Sequence, residues 1–174
     1  SSTSRGLGDV YKRQSYHSGA TGELQIVLDH IFATTAYAAV SLVGFSLGGN
    51  LTLKYVGDLG AAIDQRICGA VGVSIPCDLA SSAKQLERWQ NRIYMARFMR
   101  TLREKLREKA ARFPGVLDLE DLDAVLTFAE FDGRYTGPIH GFEGADDYWR
   151  QSSCLPVLGE IKVPALLILS LIHI

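Results

Sequence analysis

Apolar positions along the chain switch between two periods. From Thr21 to Ala36, Leu24, Val27, Leu28, Ile31 and Phe32 recur at the spacing that lines one face of a helix. Ala38-Ala39-Val40-Ser41-Leu42-Val43-Gly44-Phe45 then runs almost wholly apolar, which predicts a short strand buried on both faces of a parallel sheet. A helix is predicted from Gly48 to Val56, with Gly57 and Gly60 near its end. A second buried strand is predicted over Ile67-Cys68-Gly69-Ala70-Val71-Gly72-Val73-Ser74-Ile75, stopped by Pro76. A third is predicted over Val163-Pro164-Ala165-Leu166-Leu167-Ile168. Strand, helix, strand with apolar strands is the βαβ pattern of an α/β sheet.

Residues 77–148 leave that alternation. Lys84 to Arg112 reads as one long amphipathic helix or two, with Leu86, Trp89, Ile93, Ala96, Leu102 and Leu106 among its apolar positions. Phe113-Pro114-Gly115 ends it, Leu119 to Glu130 reads as a further helix, and Phe131 to Gly144 as a loop-rich return. About 70 residues between two core strands are too many for a simple connection. Insertions of this kind usually form a lid or cap over a site.

Composition narrows the class. The chain has 174 residues, 47% hydrophobic and 21% charged, with a formal net charge of −1. A domain of this size buries about 68–70% of its unfolded surface. High apolar content and small net charge argue against disorder. No stretch approaches the ~18 consecutive apolar residues of a membrane span. The opening Ser1-Ser2-Thr3-Ser4-Arg5-Gly6 lacks the apolar core of a secretion signal. Cys68, Cys77 and Cys154 are odd in number and lack metal-site spacing, so reduced thiols in a cytoplasmic protein are expected, with no metal and no cofactor.

The two ends share an unexpected relation. Asp9-Val10-Tyr11-Lys12-Arg13-Gln14 can be encoded by GAT GTG TAT AAG AGA CAG. The reverse complement of that string translates as Leu-Ser-Leu-Ile-His-Ile, which is Leu169 to Ile174. The string also resembles the mosaic end used in transposase-based DNA library preparation. Residues 1–14 and 169–174 are therefore expected to be adapter read-through, and 15–168 a gene fragment truncated at both sides. On that reading His173 is no functional candidate. Setting aside Arg5, Lys12, Arg13 and Asp9 leaves 15 basic and 18 acidic residues, a net charge of −3.

The chemistry-bearing segment is Gly44-Phe45-Ser46-Leu47-Gly48, a G-x-S-x-G pattern directly after one predicted strand and directly before a helix. That context is what a nucleophile elbow requires: a sharp strained turn projects the serine hydroxyl above the sheet edge. Side chains two residues either side of Ser46 are expected to collide with neighbouring backbone, so Gly44 and Gly48 are expected to be required there. The helix N-terminus favours a developing oxyanion, and the Leu47 N–H is the expected backbone donor to it. Two rivals fit less well. Gly44, Gly48 and Gly49 do not make the dinucleotide fingerprint G-x-G-x-x-G, and Lys54 comes too late for a phosphate-binding loop.

Tyr16-His17-Ser18-Gly19-Ala20-Thr21, Val43-Gly44-Phe45-Ser46-Leu47-Gly48-Gly49-Asn50 and Val73-Ser74-Ile75-Pro76-Cys77-Asp78-Leu79 together resemble the YheT-like branch of the α/β hydrolases. Phe131-Asp132, Ile139-His140-Gly141-Phe142 and Asp146-Asp147-Tyr148-Trp149 resemble its cap segment. The resemblance spans nearly all of 15–168. It implies a partial α/β-hydrolase fold: a mostly parallel sheet, helices on both faces, and a helical cap at about 77–148. It also implies an esterase or lipase-like enzyme with a triad in the order Ser, Asp, His. Ser46 alone of that triad falls within the sequence; the acid is expected after the strand ending near Ile168 and the histidine later still. The chain by itself is then expected to be nearly inert, since losing a triad base costs about 10⁶ in turnover in a serine protease.

Other residues have plainer readings. His140 lies in the cap and is expected to be a structural or substrate-lining residue; His30 is expected to be a satisfied helix-end residue. Asp78 and Asp132 fit caps or turns, and Asp146 and Asp147 fit the start of a helix. Lys84 to Arg112 carries ten basic and three acidic residues. A solvated helix face is the favoured reading, with peripheral contact to anionic lipid the alternative. The expected partner is a small-molecule or lipid ester; an acidic fragment without a recognised module argues against nucleic acid. A non-enzymatic binding module, or an acyltransferase or thioesterase on the same scaffold, remains open.

Overall fold

The computed structural model describes residues 17–115 and 117–169. Nearly all of the two segments read as adapter-derived, and Tyr16, lie outside the described residues. In chain order the elements are α1 (Thr21–Thr34), β1 (Val40–Phe45), α2 (Leu47–Leu59), β2 (Ile67–Val73), α3 (Leu79–Leu86) and α4 (Arg92–Arg112). Two short helices come next, α5 (Phe128–Phe131) and α6 (Gly137–Ile139), and then α7 (Ala145–Ser152) and β3 (Ala165–Ile168). The chain divides into two compact units: one takes Ser18–Ser82 and the residues from Arg150 onward, the other Ala83–Trp149 together with His17.

The first unit is built on a parallel three-stranded sheet in the order β1-β2-β3. Val43 pairs with Val71 and Phe45 with Val73, while Val71 pairs with Leu166 and Val73 with Ile168. All three strands fall where the apolar runs predict them. α2 packs on β1 and β2, and α1 packs on α2. The buried core gathers Leu28, Leu42, Leu53, Val56, Ile67, Ala70, Ile75 and Cys154. Each large aliphatic side chain buried here contributes about 1.5–3 kcal/mol.

The expectation that β1 is buried on both faces is corrected. Leu42 and Gly44 are buried, whereas Val43 is 56% and Phe45 67% exposed. Leu166 and Ile168 lie on the same face through the register and are 55% and 49% exposed. An apolar run records residue type; burial needs a layer on each side, and α1 and α2 form only one, since α1 stacks on α2 rather than on the other face of the sheet.

The second unit is helical. Its core is Met95, Met99, Leu106, Leu122, Val125, Phe131 and Tyr135. α4 buries Met95, Met99 and Leu106, so its inward stripe runs beside the one suggested by Trp89 and Ile93, both of which are exposed. The helix expected over Leu119–Glu130 is also corrected. Asp121 takes a left-handed conformation (φ 58°), Leu122–Ala124 forms a single 3₁₀ turn, and Val125 is extended. Thr127 then starts α5 with a capping box, its hydroxyl accepting from the Glu130 N–H at 3.2 Å while Glu130 accepts from the Thr127 N–H at 3.1 Å. Those backbone hydrogen bonds, led by the one from Leu126, hold the Glu130 carboxyl below its usual range. The expected loop after Phe131 is a π-helical turn, Asp132–Thr136, running into α6.

Candidate active site

Ser46 occupies the single step between the end of β1 and the start of α2. Its backbone is in the positive-φ region, with φ 50° and ψ −123°. A non-glycine residue there is strained, typically by about 1–3 kcal/mol, and persists only where its surroundings enforce it. The enforcement is visible. The Ser46 N–H donates to the Val73 carbonyl on β2 at 2.8 Å, extending the ladder one residue beyond β1. Its own carbonyl accepts from the N–H groups of Gly49 (2.9 Å) and Asn50 (3.2 Å), the first turn of α2. Ser46 itself is exposed.

The turn is as tight as the strand–helix junction allows. A Cβ on Gly44 would run into the Gly48 carbonyl and come within 2.6 Å of the Gly49 Cα. Backbone therefore approaches backbone where any side chain would separate them. The steric reading of Gly48 is corrected. A Cβ there would meet nothing within 4 Å, whereas one on Gly49 would meet the Gly44 carbonyl at 3.0 Å and Ile75 at 3.1 Å. Gly48 supplies the backbone that Gly44 packs against, and its own Cβ direction points into open space. Leu47 begins α2, where N–H groups have no acceptor one turn earlier in the helix. The helix dipole adds positive potential at that end.

A residue missed in the sequence holds this helix in place. Asn50 is 0% exposed, and its amide makes three hydrogen bonds. Nδ2 donates to the carbonyls of Ser152 (2.8 Å) and Ser18 (3.1 Å), and Oδ1 accepts from the Cys154 N–H (2.8 Å). One side chain thus joins α2 to the segment before α1, to the end of α7 and to the segment after it. The available signal is a lone amide within the otherwise apolar Gly49-Asn50-Leu51 stretch of a buried helix. Close backbone approach recurs around it: a Cβ on Gly19 would sit 2.8 Å from Ser152 Oγ, and one on Gly57 2.5 Å from the Val157 carbonyl. Tyr55 on α2 donates its hydroxyl to Gln25 on α1 at 2.7 Å, and burial raises its pKa.

The remaining candidates have definite places. Asp78 caps α3, its carboxylate accepting from the Ala80 N–H at 3.1 Å. Asp146 and Asp147 lie in the first turn of α7. His30 is exposed on α1, one turn before its end. In the helical unit, the rings of His17 and His140 lie 4.5 Å apart, with Phe142 and Tyr148 also against His17. Asp132 accepts from the Trp149 indole N–H at 2.8 Å; burial raises its pKa against hydrogen bonds from Thr136 and Trp149. His173 lies outside the described residues. Among the described residues no group of three or more His, Cys, Asp or Glu is placed to hold a metal ion, and no helix is long and apolar enough to cross a membrane.

Comparison with known proteins agrees with this geometry. Over 155 residues the chain is 34% identical to "Putative esterase YheT" of Escherichia coli (strain K12), covering 88% of this chain and 45% of that protein. It is 25% identical over 154 residues to "Phospholipase ABHD3" of Homo sapiens, covering 88% of this chain and 37% of the relative. It is 26% identical over 162 residues to "Monoacylglycerol lipase ABHD2" of Homo sapiens, covering 86% and 38%. The chain thus spans less than half the length of these relatives. No protein-family profile matches it, and no solved structure matches it either. With a parallel sheet, a strand–serine–helix elbow and identity across most of its length, the chain belongs to the YheT-like branch of the α/β-hydrolase family.

Proposed function

We propose that the chain carries the nucleophile of a serine hydrolase acting on carboxylic esters. The observation that carries this reading is the strained, exposed Ser46 between β1 and α2, with Gly44 packed against the backbone of Gly48 and Gly49. A turn that stores strain to present one hydroxyl at a helix N-terminus suits attack on a carbonyl carbon. In the proposed reaction Ser46 Oγ bonds to that carbon as its proton passes to a histidine base. The carbonyl oxygen becomes an oxyanion held by the Leu47 N–H, and the alcohol leaves with the proton. Water then releases the acid by the reverse sequence. One oxyanion donor contributes about 10²–10³ in rate.

The names of the relatives, an esterase, a phospholipase and a monoacylglycerol lipase, support ester cleavage and a small-molecule or lipid ester as substrate. In this reading the acid and the histidine belong to the longer protein beyond Ile168, and the 174-residue chain alone turns over ester poorly. The test is a fluorophosphonate probe applied to the full-length protein. Labelling of the wild type and none of Ser46→Ala is expected; equal labelling of the two removes Ser46 from the role.

A further inference from the structure

We infer that Cys77 and Cys154 form a modification site, a thiol pair that a low-molecular-weight disulfide such as oxidised glutathione joins into an intramolecular disulfide. The sequence argues against a disulfide framework from the odd cysteine count alone. The fold nevertheless brings these two together from 77 positions apart. Cys77 follows β2 through Pro76 and is half-buried; Cys154 follows α7 and is fully buried in the core of the sheet unit. The Leu155 N–H donates to the Cys77 carbonyl at 3.0 Å, and Cys154 Sγ lies 3.9 Å from the same oxygen. A disulfide needs Cα atoms about 4.4–6.8 Å apart with converging Cβ atoms. The backbone hydrogen bond between the two segments and the approach of Cys154 Sγ to the Cys77 carbonyl place the two residues side by side, the arrangement from which such a bridge closes. Asn50 fixes one side of the pair through the Cys154 N–H, so little rearrangement precedes bond formation.

The chemistry balances in two exchanges. The Cys77 thiolate, the more exposed of the two, attacks one sulfur of oxidised glutathione, forming a mixed disulfide and releasing one glutathione thiolate. The Cys154 sulfur then attacks the Cys77 sulfur and expels the second glutathione. Two protein thiols are oxidised, and one glutathione disulfide is reduced to two thiols. The second exchange sets the pace. Burial, together with the neighbouring Cys77, pushes the Cys154 thiol up to about 12, with Lys54 pulling weakly the other way. Cys68 is exposed on β2, where its thiol lies 3.2 Å from the Ser41 hydroxyl. It is the internal control for unselective oxidation.

The experiment treats the folded full-length protein with oxidised glutathione, quenches in acid, alkylates the remaining thiols under denaturing conditions and maps the peptides by mass. The expected result is a cross-linked Cys77–Cys154 peptide lighter by two hydrogen atoms, reversed by dithiothreitol, with Cys68 alkylated or carrying glutathione singly. In Cys77→Ser, Cys154 is expected to remain a free thiol over the time in which the wild type closes. Recovery of Cys77 and Cys154 as separate alkylated or glutathionylated peptides overturns the proposal, as does pairing of either with Cys68.

Discussion

β1 and β2 end in the same way and lead to different things. Each is followed by a serine at positive φ, Ser46 at 50° and Ser74 at 51°. In each case the serine N–H donates at 2.8 Å to the last residue of the next strand, Val73 for Ser46 and Ile168 for Ser74. Both serines are exposed. The two chains of residues beyond them diverge. After Ser46 a thirteen-residue helix begins at once and closes down on Gly44. After Ser74 the chain buries Ile75 over Gly72, where a Cβ would run into the Ile75 side chain, and then turns away at Pro76. Backbone strain is thus common to two strand ends in a parallel sheet and does not itself mark a nucleophile. Each serine also follows a tightly packed glycine two residues earlier, Gly44 or Gly72; the helix that begins directly at Leu47 is what distinguishes the Ser46 turn.

The largest effect expected from that difference is on chemistry. Ser46→Ala in the full-length protein should lower ester turnover by about 10⁶, whereas Ser74→Ala should leave it within a few-fold; initial rates with a chromogenic ester check both. Comparable losses in the two variants would remove the distinction. Gly44→Ala comes next, since its methyl meets main chain that cannot rotate aside. Destabilisation of about 3 kcal/mol is expected, read as a drop in the urea midpoint. Asn50→Ala should cost about 2–3 kcal/mol by leaving the Ser18 and Ser152 carbonyls and the Cys154 N–H without their partner, and the same titration measures it. Ser74→Gly and Ser46→Gly should each stabilise the fold by about 1 kcal/mol, because glycine relieves the same strain at both turns; unequal gains would show that the two backbones are held differently. The smallest effect belongs to Gly48→Ala. Open space around its Cβ and the helix preference for alanine predict a gain of about 0.5 kcal/mol, in contrast with Gly44 two residues before the serine.

Local pattern made the scaffold and the elbow legible. The three apolar runs become the three strands, and G-x-S-x-G between a strand and a helix becomes a strained turn, because both are set by neighbours in sequence. The rest depends on distant partners. Asn50 reads as a polar blemish in a buried helix until residues 32, 102 and 104 positions away take its hydrogen bonds. Leu119–Glu130 has helical apolar spacing, but the left-handed Asp121 and the Thr127 cap break it into two short turns. The exposed face of β1 is invisible in composition, because Val43 and Phe45 are as apolar as Leu42. Ser74 lies outside the G-x-S-x-G pattern, and its N–H meets its partner only when β3 places Ile168 opposite Val73.

The Asn50 node also orders events in time. A ribosome delivers the chain from the N-terminus, so the elbow and α2 emerge roughly a hundred residues before Ser152 and Cys154. Until then the amide can be met only by water or by the Ser18 carbonyl, and α2 lacks its tie to the segment around Ser152 and Cys154. Contacts of such long sequence separation form late and slowly. The serine turn is therefore encoded early, while the helix that follows it gains its last side-chain anchor only once the chain on the far side of the helical insertion has been made.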